Sequence, residues 1–392
     1  MTRPDAVRVD AVRLDAVRVD SVRFDAVWTG DGFRTPATFE VRGDLLTPTA
    51  RTDLRPHHIG GTLFPRLTDH HVHLGLIDPA ALLAGGITHA DDLGWTPSIA
   101  TGWLAAEAPG PTTTIAGALL TAPGGYPARS TWAPPGAARE VGGPRDGREA
   151  VREQVMAGAS RIKVALNSAA GETVDDATLR AIVDEAVTAG LPVIVHAQGP
   201  GQPARAITAG ATHLAHTPFD ERVDDAVLAE MADRGATWIS TLDIHGWGHP
   251  TAQHAIAIDN LRRFHAAGGR VLYGTDLGNG PLAVGVNARE IADLLTAGLT
   301  AVETLRSIAG DGSAAHLAPN ASIGPRLAWT PAPPPADPAD LAAWIATARP
   351  RAVADLPAPA SPDTTDTDTD TTGTDTTDST TRTTISTEGP HR

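Results

Sequence analysis

The sequence predicts an α/β protein built on a (β/α)8 TIM-type barrel. Three observations carry that prediction. Short β-branched runs alternate with helical patterns through the middle of the chain. Eight such runs can be counted, and together with the helices between them they occupy about 250 residues, the ordinary size of this barrel.

The elements follow in order. Residues 5–29 repeat a five-residue unit, DAVRV, DAVRL, DAVRV, DSVRF and DAVWT. An odd period turns the valines to opposite faces in successive copies of a strand, and in a helix each copy rotates by about 140°, so neither form builds a stable apolar face. The fold is expected to begin at the last copy, with Asp25–Gly32 as strand and turn, leaving 1–24 as a low-complexity arm. The apolar run Gly61–Thr68 reads as the opening strand and leads into Asp69-His70-His71-Val72-His73. Further strands are expected at Ile87–Ala90, Thr112–Leu120, Arg161–Ala165, Leu191–His196, Thr212–His216, Thr237–Thr241 and Arg270–Thr275. The clearest helix is Asp175–Ala189, where Leu179, Ile182, Val183, Ala186 and Val187 share a face between an Asp start and Gly190. Others are expected at 148–157, 224–234, 251–267 and 287–297. Residues 357–392 alternate Asp and Thr with one aliphatic side chain after Ala360, Ile385. Such a tail cannot bury enough surface to offset its ordering entropy and is expected to be disordered.

Composition narrows the function. The net charge is −15, of which the last 33 residues contribute −5, and a mildly acidic body argues against tracking nucleic-acid phosphates. The chain has no cysteine, which excludes disulfides, zinc ribbons and thiol catalysis. The N-terminus shows no apolar signal core and no run approaches 18 apolar residues, so the expected location is the cytoplasm, away from membranes.

Barrel chemistry gathers at the C-terminal ends of the strands. There, His71 and His73 alternate onto one face, about 6.6 Å apart in rise, and two imidazoles so placed can close on one divalent ion. Lys163 lies in the fourth strand, His196 and His216 end the fifth and sixth, and Asp276 ends the eighth. The separations of 90, 33, 20 and 60 residues match three, one, one short and two β/α units of about 30 residues. Each residue has a plainer reading. His196 could bond to backbone in the core, Lys163 could snorkel from an edge, and Asp276 could cap a helix. Their common position on one rim favours a metal site. His213 is a rival to His216 but faces the other way, and His70 alternates away from His71 and His73.

This ordered set resembles the amidohydrolase superfamily, and within it the imidazolonepropionase-like and Xaa-Pro dipeptidase-like branch. The matching segments are Thr68–Leu74, Gly85–Thr88, Ala159–Val164, Pro192–Ala197 and Gly274–Asp276, and the resemblance covers roughly 25–355. It implies two divalent metal ions, zinc by preference. His71, His73 and Asp276 would hold one, and His196 and His216 the other, with Lys163, N6-carboxylated by CO2, bridging them. It implies hydrolysis of a C–N bond in an amide, lactam or dipeptide-like substrate by metal-activated hydroxide, with Asp276 as general base and then general acid. It also implies a small β-sandwich from both termini. Here that domain is expected to be reduced, formed by 25–58 and 318–356 around a barrel at 59–317, because Pro331–Pro335 replaces the usual Gly-x-x-Ala-Asp-Leu element. That departure leaves a homo-oligomer open.

The loops after the strands offer substrate contacts: Trp95, Tyr126, Arg129, Trp132, Trp247, His249 and, as the preferred contact, His245. The partner expected is a small molecule, not a nucleic acid or a membrane. A lactonase or phosphotriesterase would use the same centre. A deaminase would want a glutamate near the fifth- or sixth-strand histidine, where Glu221 fits poorly. A non-catalytic metal-binding barrel is opposed by the intact ligand set.

Overall fold

The computed structural model describes residues 21–310 and 326–356. The first three repeat copies, Ile323 and its neighbours, and the Asp/Thr tail lie outside the described residues.

In chain order the strands are β1 (Ser21–Phe24), β2 (Ala26–Trp28), β3 (Phe33–Arg34), β4 (Ala37–Arg42), β5 (Leu45–Pro48), β6 (His57–His58) and β7 (Thr62–Phe64). These are followed by β8 (Thr68–Val72), β9 (His89–Asp92), β10 (Thr112–Ile115), β11 (Leu119–Thr121), β12 (Ala138–Glu140), β13 (Ile162–Asn167), β14 (Val193–Gln198), β15 (His213–Leu214), β16 (Thr237–Ile239) and β17 (Arg270–Leu272). The last are β18 (Arg326–Thr330) and β19 (Arg349–Ala352). A mixed α/β architecture results. A seven-stranded sheet runs β12-β11-β13-β14-β15-β16-β17, and a three-stranded sheet runs β10-β9-β8. Every strand pair in both is parallel. Backbone bonds tie β8 to the segment after β17: Tyr273 O accepts from His70 N–H at 3.1 Å, and Leu277 O from His73 N–H at 2.9 Å.

Two other sheets use both ends of the chain. Their orders are β5-β4-β1-β6 and β19-β18-β7-β2-β3. They share an apolar cluster that includes Val22, Phe24, Phe39, Leu46, Leu63, Leu327 and Val353. Ser21–Phe24, expected to belong to the arm before Asp25, is therefore already a strand of the fold. In the fourth repeat copy Val22 and Phe24 are buried against β4, with the Phe24 ring edge-on to Phe39 at 6.1 Å.

Two expected strands are each divided. In the run 61–68, β7 pairs with β18 and β2 while β8 pairs with β9. Pro65 stands between them, and proline lacks the N–H that a continuous ladder needs. In the run 112–120, β10 and β11 join different sheets. Gly117 turns the chain there at φ +73°, and a Cβ on it would lie 2.3 Å from Gln154 Oε1.

The helices fall close to expectation. Asp175 caps Asp176–Thr188 by accepting from Thr178 N–H at 2.7 Å, and Thr251 and Asn287 cap Ala252–Ala266 and Ala288–Thr296. Strand alternation then sorts the side chains. Ile162, Val164, Val193, Val195 and Leu214 join the main core with the helices. Ile194, Ala215 and Ile239 point the other way and pack with Leu93. Lys163 lies on that second face, opposite Ile194 in register.

Candidate metal centre

The second face ends in a cavity of about 250 Å3 with His71, His73, Lys163, His196, His216 and Asp276 at its floor. The local backbone explains how they meet. A register shift between Asp69 and Val72 marks the bulge that carries His71. The His71 and His73 rings lie 5.3 Å apart and the His71 and His216 rings 4.7 Å. Asp276 has a left-handed backbone at φ +55°, a conformation that costs a non-glycine residue free energy. That turn brings its Oδ1 to 3.1 Å from His71 Nε2 and 3.3 Å from His73 Nε2. One ligand atom each from His71, His216 and Asp276 lies within 4.8 Å of the others.

Outer contacts orient these imidazoles. His71 Nδ1–H donates to Ala215 O at 2.8 Å and His73 Nδ1–H to Gly94 O at 3.1 Å. A carbonyl only accepts, so Nδ1 is the donor in each ring and each Nε2 faces the site; burial lowers His73, but its bond to Asp276 outweighs that and holds its imidazole above the ordinary value. His216 Nδ1 meets Thr241 Oγ1 at 2.9 Å. His196 differs. Asn167 Oδ1 accepts from the N–H groups of Ala169 and Ala170, which turns Asn167 Nδ2 toward His196 Nε2 at 3.3 Å. Its Nε2 is thus already engaged by a protein donor.

The electrostatics suit a cation. Burial holds His71 and His216 well below the usual imidazole range and brings His196 to about 4, so these rings are neutral nitrogen donors at pH 7. Burial also opposes ionisation of Asp276, but His71, His73 and His216 outweigh it and keep its carboxyl well below the ordinary value. Lys163 is 1% exposed, with Nζ 3.4 Å from His71 Nε2. Burial lowers its amine to about 7, against the partial opposition of Asp276 and Asp92. It is also the only lysine among the 31 basic residues; the other 30 are arginine. That singularity was readable in the sequence and marks the position independently of spacing.

Supporting residues that strand counting does not find complete the floor. Asp69 accepts from Thr275 Oγ1 at 2.5 Å, Thr275 N–H at 3.0 Å and His71 N–H at 3.1 Å, stitching the His71 strand to the Asp276 turn. Asp92 accepts from Leu74 N–H at 2.8 Å and Gly94 N–H at 3.2 Å, flanking His73. Glu290 accepts from the N–H groups of Leu242 and Asp243 and so fixes the turn bearing Thr241. Below the floor, Asp91 binds Arg161, His70 and Thr114 at 2.5–2.7 Å. His70 therefore turns away from the site, as its alternation requires. His213 contacts Thr212 and stays outside it as well.

The expected substrate contacts divide. Tyr126 lines the cavity, stacked on His196 at 5.0 Å, and burial pushes its phenol well up so that it stays neutral. Trp95 does not line the cavity; its ring fills the space beside Gly75 and backs Trp132 in an apolar cluster. His245 also lies off the cavity, its ring tilted by 31° against Phe219 at 4.1 Å, where burial lowers it to about 3. A loop histidine beside an apolar ring packs there in preference to facing solvent. Trp132 stands where the contact was expected, 5.2 Å from the His73 ring, with Leu76, Leu119 and the Gly278–Gly280 rim completing the walls.

The sequence model of the Amidohydrolase family matches residues 62–317. Among solved structures, a Xaa-Pro dipeptidase with bound methionine is 18% identical, with TM-score 0.64 over 82% of this chain and 96% of that one. Ochratoxinase of A. niger is 19% identical, with TM-score 0.66 over 84% and 94%. A prolidase complexed with N-methylphosphonate-L-proline is 22% identical, with TM-score 0.62 over 84% and 97%. At these identities the likeness is one of fold. No curated protein matches the chain in sequence.

Proposed function

The chain belongs to the amidohydrolase family, an enzyme acting on C–N bonds, and from that premise we propose that it is a metal-dependent hydrolase of an amide, lactam or dipeptide-like substrate. The observation that carries this reading is the convergence of His71, His73, His216 and Asp276, with the Nε2 atoms of His71 and His73 directed inward, beside the chain's one lysine. The donor set fits divalent ions: neutral imidazoles and one carboxylate are ordinary zinc ligands. In this reading His71, His73 and Asp276 hold one ion, His196 and His216 hold a second, and carboxylated Lys163 joins them. His196 takes its part by exchanging the long Asn167 bond. We also place the three- and seven-stranded sheets in one closed barrel, supported by the backbone bonds between β8 and the segment after β17. The two end-built sheets, with their shared apolar cluster, form the small sandwich beside it.

The chemistry follows from the residues. Divalent ions bound there would acidify water toward neutrality and polarise the scissile carbonyl. Burial makes the neutral Lys163 amine available at pH 7; it adds to CO2, losing one proton, and becomes an anionic oxygen donor. Asp276 accepts the proton of the attacking water and delivers it to the leaving nitrogen as the C–N bond breaks, yielding a carboxylic acid and an amine. Asn279 Nδ2–H, 2.9 Å from Asp276 Oδ2, keeps that carboxylate aimed while its Oδ1 faces His71 and His73. Tyr126 and Trp132 shield the floor from bulk water. A deaminase is disfavoured because no glutamate lines the cavity among the described residues; Glu221 instead accepts from Gly201 N–H.

Metal analysis of the purified protein, joined to hydrolysis of a panel of N-acyl amino acids, dipeptides, lactams and lactones, tests the reading. About two metal equivalents and C–N turnover, both lost in Lys163→Ala, are expected. A wild type that neither binds metal nor cleaves any member of the panel would overturn it.

A further inference from the structure

We infer that the substrate is an uncharged, aromatic-bearing amide or lactam, with no carboxylate beside the scissile nitrogen. This inference rests on the hydrolytic reading of the site and narrows it. Above the floor the cavity walls are Leu76, Leu119, Tyr126 and Trp132, with Asn279 as a neutral polar group at the rim. Lys163 is the only Lys or Arg among the lining residues, and it is committed to the floor. A substrate carboxylate held against that wall, away from the ions at the floor, would therefore meet two aromatic rings and two leucines and find no Arg or free Lys among the described lining residues. Taking an anion out of water against such a wall costs free energy that apolar contact does not return.

The same wall suits a neutral ring. Tyr126 lies 6.2 Å from Trp132, each ring also facing a histidine of the floor, at 5.0 Å and 5.2 Å. Offset and tilted aromatic pairs at such separations are favourable. The two rings and the two leucines thus give the cavity an apolar lining beside the proposed metal ligands. A cavity of about 250 Å3 lies just below the usual range of small-molecule sites, roughly 300–1,000 Å3, and suits one ring and an acyl group rather than a longer peptide.

The test uses two compounds that differ by one carboxylate on the carbon next to the scissile nitrogen, N-benzylacetamide and N-acetylphenylglycine. With the metal-loaded full chain, kcat/KM is expected to be at least tenfold higher for N-benzylacetamide. Leu76→Arg puts a cation on the wall at a partly exposed position and is expected to reduce that ratio at least tenfold. Equal or faster cleavage of N-acetylphenylglycine by the wild type overturns the inference and leaves C–N hydrolysis standing. So does cleavage of dipeptides or other carboxylate-bearing amides when N-benzylacetamide is untouched. Failure of every C–N substrate in the wider panel, with metal bound, overturns the hydrolytic reading itself.

Discussion

Burying Lys163 opposes folding until the site is completed, and Lys163→Met exposes that cost. The side chain is 1% exposed and its one described hydrogen-bond partner is a neutral imidazole, His71. Burial lowers its amine from 10.5 to about 7. At 1.36 kcal/mol per pKa unit the shift corresponds to a penalty of up to about 5 kcal/mol below pH 7 and about 3 kcal/mol at pH 8. Between pH 7 and 10.5 the unfolded chain binds this proton and the folded chain does not, so stability rises with pH across that window. Methionine has a similar length and no charge. In chelator-treated protein, Lys163→Met is expected to be more stable than wild type by a few kcal/mol at pH 8 in urea unfolding, and to lack this rise toward pH 10. Added divalent metal at about 1,000 times its Kd is expected to reverse the order, since it adds about 4.1 kcal/mol to the form that binds it, more than the penalty of about 3 kcal/mol at pH 8. A chelated variant less stable than wild type by more than 1 kcal/mol, or one stabilised by metal as much as wild type, would refute the reasoning.

Asp276→Asn should keep the Asn279 neighbour but lose the proton shuttle, lowering kcat by about 10²–10⁴ and weakening metal binding; steady-state kinetics with metal analysis checks both. Asp91→Ala leaves Arg161 uncompensated beneath the floor and should cost about 3–5 kcal/mol in denaturant unfolding. Its acid dependence follows the same pair. Asp91 is held well below the usual carboxylate range, with the Arg161 charge and the His70 bond overcoming the effect of burial. The stability it contributes is present above about pH 4 and is lost as pH falls further, and the variant should lack that loss. Glu290 is pushed up to about 8 by burial, so the folded form favours the protonated acid. Stability should fall as pH rises from about 4 to 8, and Glu290→Gln should remove this fall in thermal unfolding followed against pH. With 13C-labelled CO2 and metal, the single lysine should give one side-chain carbamate signal by NMR, absent in Lys163→Met.

Much of the floor was legible in the sequence because a parallel α/β unit has a nearly constant length. Side-chain alternation within strands, combined with that period, places His71, Lys163, His196, His216 and Asp276 on one rim without coordinates. The same alternation correctly sends His70 and His213 away from it. Loops have no such period. Trp95 and His245 carry suitable chemistry but are turned into packing by Gly75 and Phe219, and only the fold shows that Trp132 occupies the wall. Strand breaks at Pro65 and Gly117 are local signals, but which sheet each half joins depends on partners tens to hundreds of residues away, such as β18 for β7.

The sequence by itself determined the parallel α/β class and the identity of the six polar groups at the cavity floor, since both follow from periodicity along the chain. Tertiary structure alone decided which ring nitrogens face inward, through carbonyls of Ala215 and Gly94 that lie 144 and 21 residues from the rings they orient. It also decided the neutral aromatic wall, because that wall depends on how loops pack across the rim, a property of contacts in space that no spacing along the chain encodes.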